Sequence, residues 1–88
     1  MRTTYEARMN DGTEITFNSK GEWDKVDREF QPVPAALIPA EIAAYVQSHF
    51  PDTPVTKIDK ERYGYDIELL NDLELKFSKN GRLINYDD

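Results

Sequence analysis

The chain carries one pattern twice, at a fixed offset of sixty residues and without a gap, and this narrows the possible folds more than any other feature. Setting residues 5–27 over 65–87 matches Tyr5 with Tyr65, Glu14 with Glu74, Phe17 with Phe77, Gly21 with Gly81 and Asp27 with Asp87. Five identities in 23 positions exceed the roughly one or two expected from ordinary composition. Apolar residues also coincide at Ala7/Ile67, Met9/Leu69, Ile15/Leu75, Trp23/Leu83 and Val26/Tyr86. Both stretches therefore read as β-meanders burying equivalent faces. Any two meanders share a period of two, but they rarely share loop lengths.

Loop lengths follow from which side chains must face each other. Residues opposed across an antiparallel ladder point to the same side, so Tyr5 and Ala7 should oppose Phe17 and Ile15. That register leaves Asn10-Asp11-Gly12 as a three-residue loop, with Gly12 at the place that needs a left-handed backbone. The second copy puts Asp72 there, which Asp tolerates better than most residues. Opposing Phe17 with Trp23, and Phe77 with Leu83, leaves Ser19-Lys20-Gly21 and Lys79-Asn80-Gly81 as loops of the same kind. Beyond Trp23 the alternation slips, because Lys25 falls where an inward residue belongs and Val26 is the apolar one, which predicts a bulge.

Between the copies, the prolines of residues 30–34 exclude a central strand, and Pro39 suits the first turn of a helix. Residues 39–50 then read as one helix with Ile38, Ile42, Tyr45, Val46 and Phe50 on a single stripe, ended by Pro51. Residues 55–59 form a strand that leads through Lys60-Glu61-Arg62 into the second copy. The predicted fold is α+β, an antiparallel sheet of order βββ-α-ββββ: repeat one over 5–27, a central helix, and repeat two over 54–87.

At 88 residues the chain is read as one domain over 1–88, since so short a chain cannot support two separate cores. Its 17 acidic and 11 basic side chains give a net charge of −6, and no Lys/Arg cluster breaks that field, so nucleic acid is not an expected partner. No run approaches the roughly 20 apolar residues that span a bilayer, and Met1-Arg2-Thr3-Thr4 leads into structured sequence without an apolar signal region. There is no cysteine, and His49 is the only histidine, so a two-histidine metal site or a triad with a second histidine cannot be built within one chain. His49 reads as a helix-end residue. Asp11, Asn71, Asp72 and Asp87-Asp88 lack calcium-loop spacing and read as turn residues. No cofactor, metal or catalytic residue is predicted.

The runs NDGTEITFNSKGEWDKVD and VPAALIPAEIAAYVQSHFPDTPVTKIDKERYGYDIELLNDLELKFSKNGRL, which cover nearly the whole chain, resemble the PepSY-like, β-lactamase-inhibitor-like family known mainly from exported proteins of gut Bacteroidetes. The resemblance implies a duplicated unit of a helix plus a four-stranded antiparallel sheet. It further implies a periplasmic or exported location, and a role in binding or inhibiting another protein of the cell envelope. It brings no catalytic residues. The chain departs from the family pattern in having no signal region, and in a first repeat without the helix and strand that precede Tyr63 in the second.

Seven strands in one sheet span about 29 Å, which a helix about 10 Å across and about 18 Å long cannot cover. The helix should shield the second copy and leave Tyr5, Met9, Ile15, Phe17 and Trp23 partly bare, a face suited to self-association as a homodimer. On the outward face the register gives the pairs Arg8 with Glu14 and Asp66 with Lys76, which are complementary, and Glu68 with Glu74, which are alike. That like pair can hold a cation, meet a basic partner, raise one carboxylate's pKa for acid catalysis, or diverge into water at small cost. Glu6, Arg8, Glu14, Thr16, Asp66, Glu68, Glu74 and Lys76 are therefore the candidate protein-binding residues. The competing reading is a structural, self-assembling envelope protein whose exposed strands pair with copies of itself.

Overall fold

A computed structural model describes residues 4–87; Met1, Arg2, Thr3 and Asp88 of the sequence reading lie outside the described residues. The elements run β1 (Tyr5–Arg8), β2 (Glu14–Phe17), β3 (Trp23–Asp27), a 3₁₀ turn (Ala35–Leu37), α1 (Ala40–His49), β4 (Val55–Glu61), β5 (Gly64–Leu69), β6 (Glu74–Ser78) and β7 (Leu83–Asp87). All seven strands join one antiparallel sheet in chain order. The fold is thus α+β, with a seven-stranded sheet and one helix.

The short loops set the register as expected. Tyr5 opposes Phe17 and Ala7 opposes Ile15, Phe17 opposes Trp23, Tyr65 opposes Phe77, Ile67 opposes Leu75, and Phe77 opposes Leu83. Four of the hairpins close on an N–H to C=O bond that leaves three residues at the tip: Met9 to Thr13 and Asn18 to Glu22 at 2.8 Å, Leu69 to Leu73 at 2.9 Å, and Ser78 to Arg82 at 2.8 Å. The third tip residues, Gly12, Gly21, Asp72 and Gly81, all have positive φ, and Asp72 bears this at 68° with a side chain in place. The slip after Trp23 is a bulge, since Phe17 faces Trp23 while Thr16 faces Lys25, and the same shift recurs between Lys76 and Phe77.

Two boundaries differ from the sequence reading. Lys60 and Glu61 belong to β4 rather than to a connection, because they pair with Tyr65 and Gly64. The helix spans Ala40–His49, with Pro39 outside it as the cap residue, its extended ψ of 142° incompatible with a helical turn. The Pro39 carbonyl still accepts the N–H of Ala43 at 3.0 Å, and the Phe50 N–H closes the far end on Val46 O at 2.7 Å.

One face of the sheet is apolar. The register carries a row from strand to strand through Ala7, Ile15, Val26, Ile58, Ile67 and Leu75, and a second row holds Tyr65, Phe77 and Leu83. Ile42 and Val46 of α1 pack on this face, and the Tyr45 ring meets Phe77 edge-on with centroids 5.4 Å apart. The tip of the β6–β7 hairpin comes so close to α1 that a Cβ on Gly81 would lie 2.4 Å from that of Glu41, so only glycine fits. Among the described residues, every buried apolar side chain except Val26 comes from Val33 onward. The core therefore lies under α1, and the side of the sheet holding β1 and β2 has no helix over it.

Candidate functional site

The opposite face is polar throughout. One row runs Glu6, Thr16, Lys25, Asp59, Asp66, Lys76, Asn85, and the next runs Arg8, Glu14, Asp27, Lys57, Glu68, Glu74. All eight predicted binding residues stand in these rows, but in two groups, on β1–β2 and on β5–β6, about 14 Å apart at ordinary strand spacing. The ground between them belongs to Lys25, Asp27, Lys57 and Asp59, none of which is among the predicted binding residues. Their alternation along β3 and β4 was visible in the sequence. The partners facing them were not, because no hairpin joins β3 to β4.

The expected ion pairs form: Arg8 reaches Glu14 at 3.2 Å and Lys76 reaches Asp66 at 3.2 Å. The like pair Glu68 and Glu74 also stand opposed. A second like pair adds to it, for Asp59 opposes Asp66. Asp59, Asp66, Glu68 and Glu74, with Lys57, ring a shallow hollow of about 60 Å³. Burial, then repulsion from Glu61, pushes the Asp59 carboxyl from 3.8 up to about 6, with Lys25 and Lys57 opposing the rise.

Beside the hollow, Tyr63, Asp66 and Lys76 form a hydrogen-bonded trio. The Tyr63 hydroxyl donates to the Asp66 carboxylate, while the Lys76 ammonium donates to both, at 3.1 Å to Tyr63 and 3.2 Å to Asp66. Partial desolvation and the bond to Asp66 raise the Tyr63 pKa, and the bonds to Tyr63 and Asp66 raise that of Lys76. Both protons are held more tightly than usual, the reverse of what a phenolate nucleophile or an amine base requires.

On the apolar face, Tyr5 and Met9 are 56% and 47% exposed, and Phe17 is half-buried. Ile15 and Trp23 are half-buried and rest against the margin of the core. Lys60 lies over the Trp23 ring with its Nζ 4.0 Å from the centroid. Trp23 and Lys60 line an open cleft of about 890 Å³ with Lys20, Arg62 and Tyr63, where β3 and β4 part beyond the pairing of Lys25 with Asp59. No residue pattern signals this cleft, which depends on that divergence.

Two further groups have plain structural roles. His49 stacks on Tyr45 with centroids 4.0 Å apart, and its Nδ1 hydrogen-bonds the Tyr45 carbonyl at 3.0 Å. Arg28 donates to Asp11 at 3.0 Å, Thr13 at 3.1 Å, the Pro32 carbonyl at 2.9 Å and Gln31 at 2.9 Å, tying the β1–β2 hairpin to the segment after β3. The two bonds to Thr13, then Arg28, hold the Asp11 carboxyl below its ordinary value. Among the described residues, no three histidine or acidic side chains converge as a metal-ligand set. No helix among them is long and apolar enough to cross a membrane.

The family model described as "Putative beta-lactamase-inhibitor-like, PepSY-like" matches residues 3–85. Among solved structures, a "putative periplasmic protein of unknown function" from Bacteroides vulgatus is 35% identical, with a TM-score of 0.93 over 97% of this chain and 68% of its own. A "putative calcium-regulated periplasmic protein" from Bacteroides thetaiotaomicron is 39% identical, with a TM-score of 0.93 over 97% of this chain and 67% of its own. No match was found among curated proteins.

Proposed function

The chain belongs to the PepSY-like, β-lactamase-inhibitor-like family, and from that footing we propose that it is a non-catalytic protein-binding module of the cell envelope, working in the periplasm as one domain over residues 1–88. The observation that carries this reading is the acidic patch on this sheet face, where four carboxylates gather and Lys57 and Lys76 offset only part of their charge. Asp59 opposes Asp66 and Glu68 opposes Glu74, around a shallow hollow on the polar sheet face. Like charges at this spacing cost free energy that a basic surface relieves, so the partner is a protein presenting Lys or Arg side chains. The tightly held protons of Tyr63 and Lys76 favour a binding role over catalysis for the neighbouring trio. We also read the two meanders as copies of one unit; their shared pairings, three-residue tips and bulge positions support this.

Capture from a periplasmic extract tests the binding reading. Wild type is expected to retain a basic protein in stoichiometric amount. The double variant Glu68→Lys with Glu74→Lys should retain it at least about tenfold more weakly, with wild-type capture also falling as salt rises. Retention indifferent to the double variant, or no foreign protein at all, sinks the proposal. The Bacteroides thetaiotaomicron relative is described as calcium-regulated, so the capture is compared with and without calcium. Calcium-induced capture lost in the double variant would make the cation a bridge rather than a rival. A second reading, a structural protein that assembles with itself, is favoured by the exposed Tyr5 and Met9; self-association with no foreign partner supports it.

A further inference from the structure

Among the described residues, Phe30 is the most exposed of the large apolar side chains, at 79%. A lone exposed apolar residue is ordinary; the turn that carries this one is not. Arg28 to Gln31 form a turn closed by the Gln31 N–H on the Arg28 carbonyl at 3.0 Å, and Glu29 within it has a φ of 59°. A left-handed backbone at a residue other than glycine is strained, and it persists only where the surroundings fix it. Here the Arg28 N–H bonds the Thr56 carbonyl at 2.9 Å and the Val33 N–H bonds the Val55 carbonyl at 2.8 Å, so the chain on both sides of the turn is pinned to the start of β4. The Glu29 N–H bonds Asp27 Oδ1 at 3.0 Å, and the Gln31 side chain bonds the Asp11 carbonyl at 3.3 Å. The Arg28 guanidinium adds its bonds to Asp11, Thr13, Pro32 and Gln31. Pro32 and Pro34 stiffen the chain that leaves the turn.

A ring presented on so fixed a turn loses little conformational entropy on entering a pocket. Such an aromatic knob suits the desolvated centre of a protein interface. Charge narrows the partner further. Asp11, Asp27 and Glu29 border the turn, and Arg28 is already engaged by the bonds within it. These carboxylates repel an anionic lipid surface and favour Lys or Arg at the rim of the pocket. Asp27 also stands in the row that continues through Lys57 to Glu68 and Glu74. Three strand spacings separate its ends, about 14 Å, which an interface of standard size, about 800 Å² on each partner, spans. We propose that the Arg28–Gln31 turn is a preformed anchor that seats Phe30 in an apolar pocket, rimmed by Lys or Arg, on the same protein that meets the acidic patch. The inference rests on the protein-binding reading and adds a second point of contact to it.

Phe30→Ala removes the knob and, because the ring is exposed, should unfold in urea at the wild-type midpoint. Its retention of the protein captured from periplasmic extract should fall about tenfold or more. The contact itself is read by placing a photoreactive phenylalanine analogue at position 30 and irradiating the captured complex. The adduct should form on the foreign protein, at a site with apolar side chains and Lys or Arg close by. Capture that is indifferent to Phe30→Ala but lost with Glu68→Lys and Glu74→Lys overturns the anchor and leaves the binding reading standing. Loss with Phe30→Ala but not with that double variant supports the anchor and removes the acidic patch from the interface. A wild type that retains no foreign protein overturns both. An adduct on a second copy of this chain, on lipid or on nothing overturns the anchor, as does a Phe30→Ala variant less stable than wild type, whose ring must then pack within the chain.

Discussion

Asp59 sits half-buried opposite Asp66, and burial together with Glu61 raises its pKa from 3.8 to about 6. The unfolded chain releases this proton near the lower value and the folded chain near the higher. Between them the folded state binds more protons, so stability falls as pH rises through that window and stays lower above it. The full shift corresponds to about 3 kcal/mol, which solvent screening at this half-exposed site reduces to about 1 kcal/mol. Asp59→Asn is therefore expected to be more stable than wild type by about 1 kcal/mol above pH ~6.5 and about equal to it below pH ~4. Denaturant titrations at the two pH values check this; equal stability at both would refute the account. The raised carboxyl was not legible in the sequence. Asp59 meets Asp66 only because β4 continues through Lys60 and Glu61 into a tight hairpin, whereas the sequence reading ended the strand at Asp59. Asp72 was legible, because a three-residue tip fixes locally which residue must take positive φ.

Among the elements, the four hairpins with three-residue tips follow from the sequence, whereas the extent of the β4–β5 hairpin and the pairing across the helical connection do not. A hairpin tip sets the register of its two strands, so the opposition of Tyr5 to Phe17 and of Tyr65 to Phe77 follows from loop length and alternation alone. The pairing of β3 with β4 spans the whole helical connection, and its register depends on packing distant in sequence, so neither Lys57 facing Asp27 nor Asp59 facing Lys25 follows from local pattern. The helix likewise shields what its reach allows. Phe17 and Phe77 occupy matching places in the two meanders, but Phe77 is fully buried under Tyr45 while Phe17 is half-buried with no helix above it. Phe77→Ala should cost about 3–5 kcal/mol, a large part of the roughly 5–15 kcal/mol that holds a small domain. Phe17→Ala should cost only about 1 kcal/mol. Urea unfolding of both variants distinguishes them, and similar losses would mean that the β1–β3 side is better covered than its exposure indicates.

At the scale of the molecule, the two meanders meet along three opposed residue pairs, Lys25 with Asp59, Val26 with Ile58 and Asp27 with Lys57, beyond which β3 and β4 part around the cleft. By contrast β4 and β5 share six such pairs, and nearly all the buried apolar surface lies on that side, under α1. Burial drives cooperativity, so the sheet is expected to open in two stages rather than one. In native-state hydrogen exchange at concentrations where the chain is monomeric, amides of β5 and β6 should exchange only through global unfolding. Those of β1 and β2 should exchange through a partial opening about 2 kcal/mol less costly. Arg28 is the main polar tie between the β1–β2 hairpin and the segment leading toward α1, through Asp11, Thr13, Gln31 and Pro32. Arg28→Ala should therefore lower the protection of β1 and β2 by about 1–3 kcal/mol and leave that of β5 and β6 nearly unchanged. A uniform loss across all strands would show instead that Val26 and its neighbours couple the halves into one cooperative unit. The half-buried aromatic surface around Phe17 and Trp23 would then be part of a single rigid sheet rather than of a half that opens by itself.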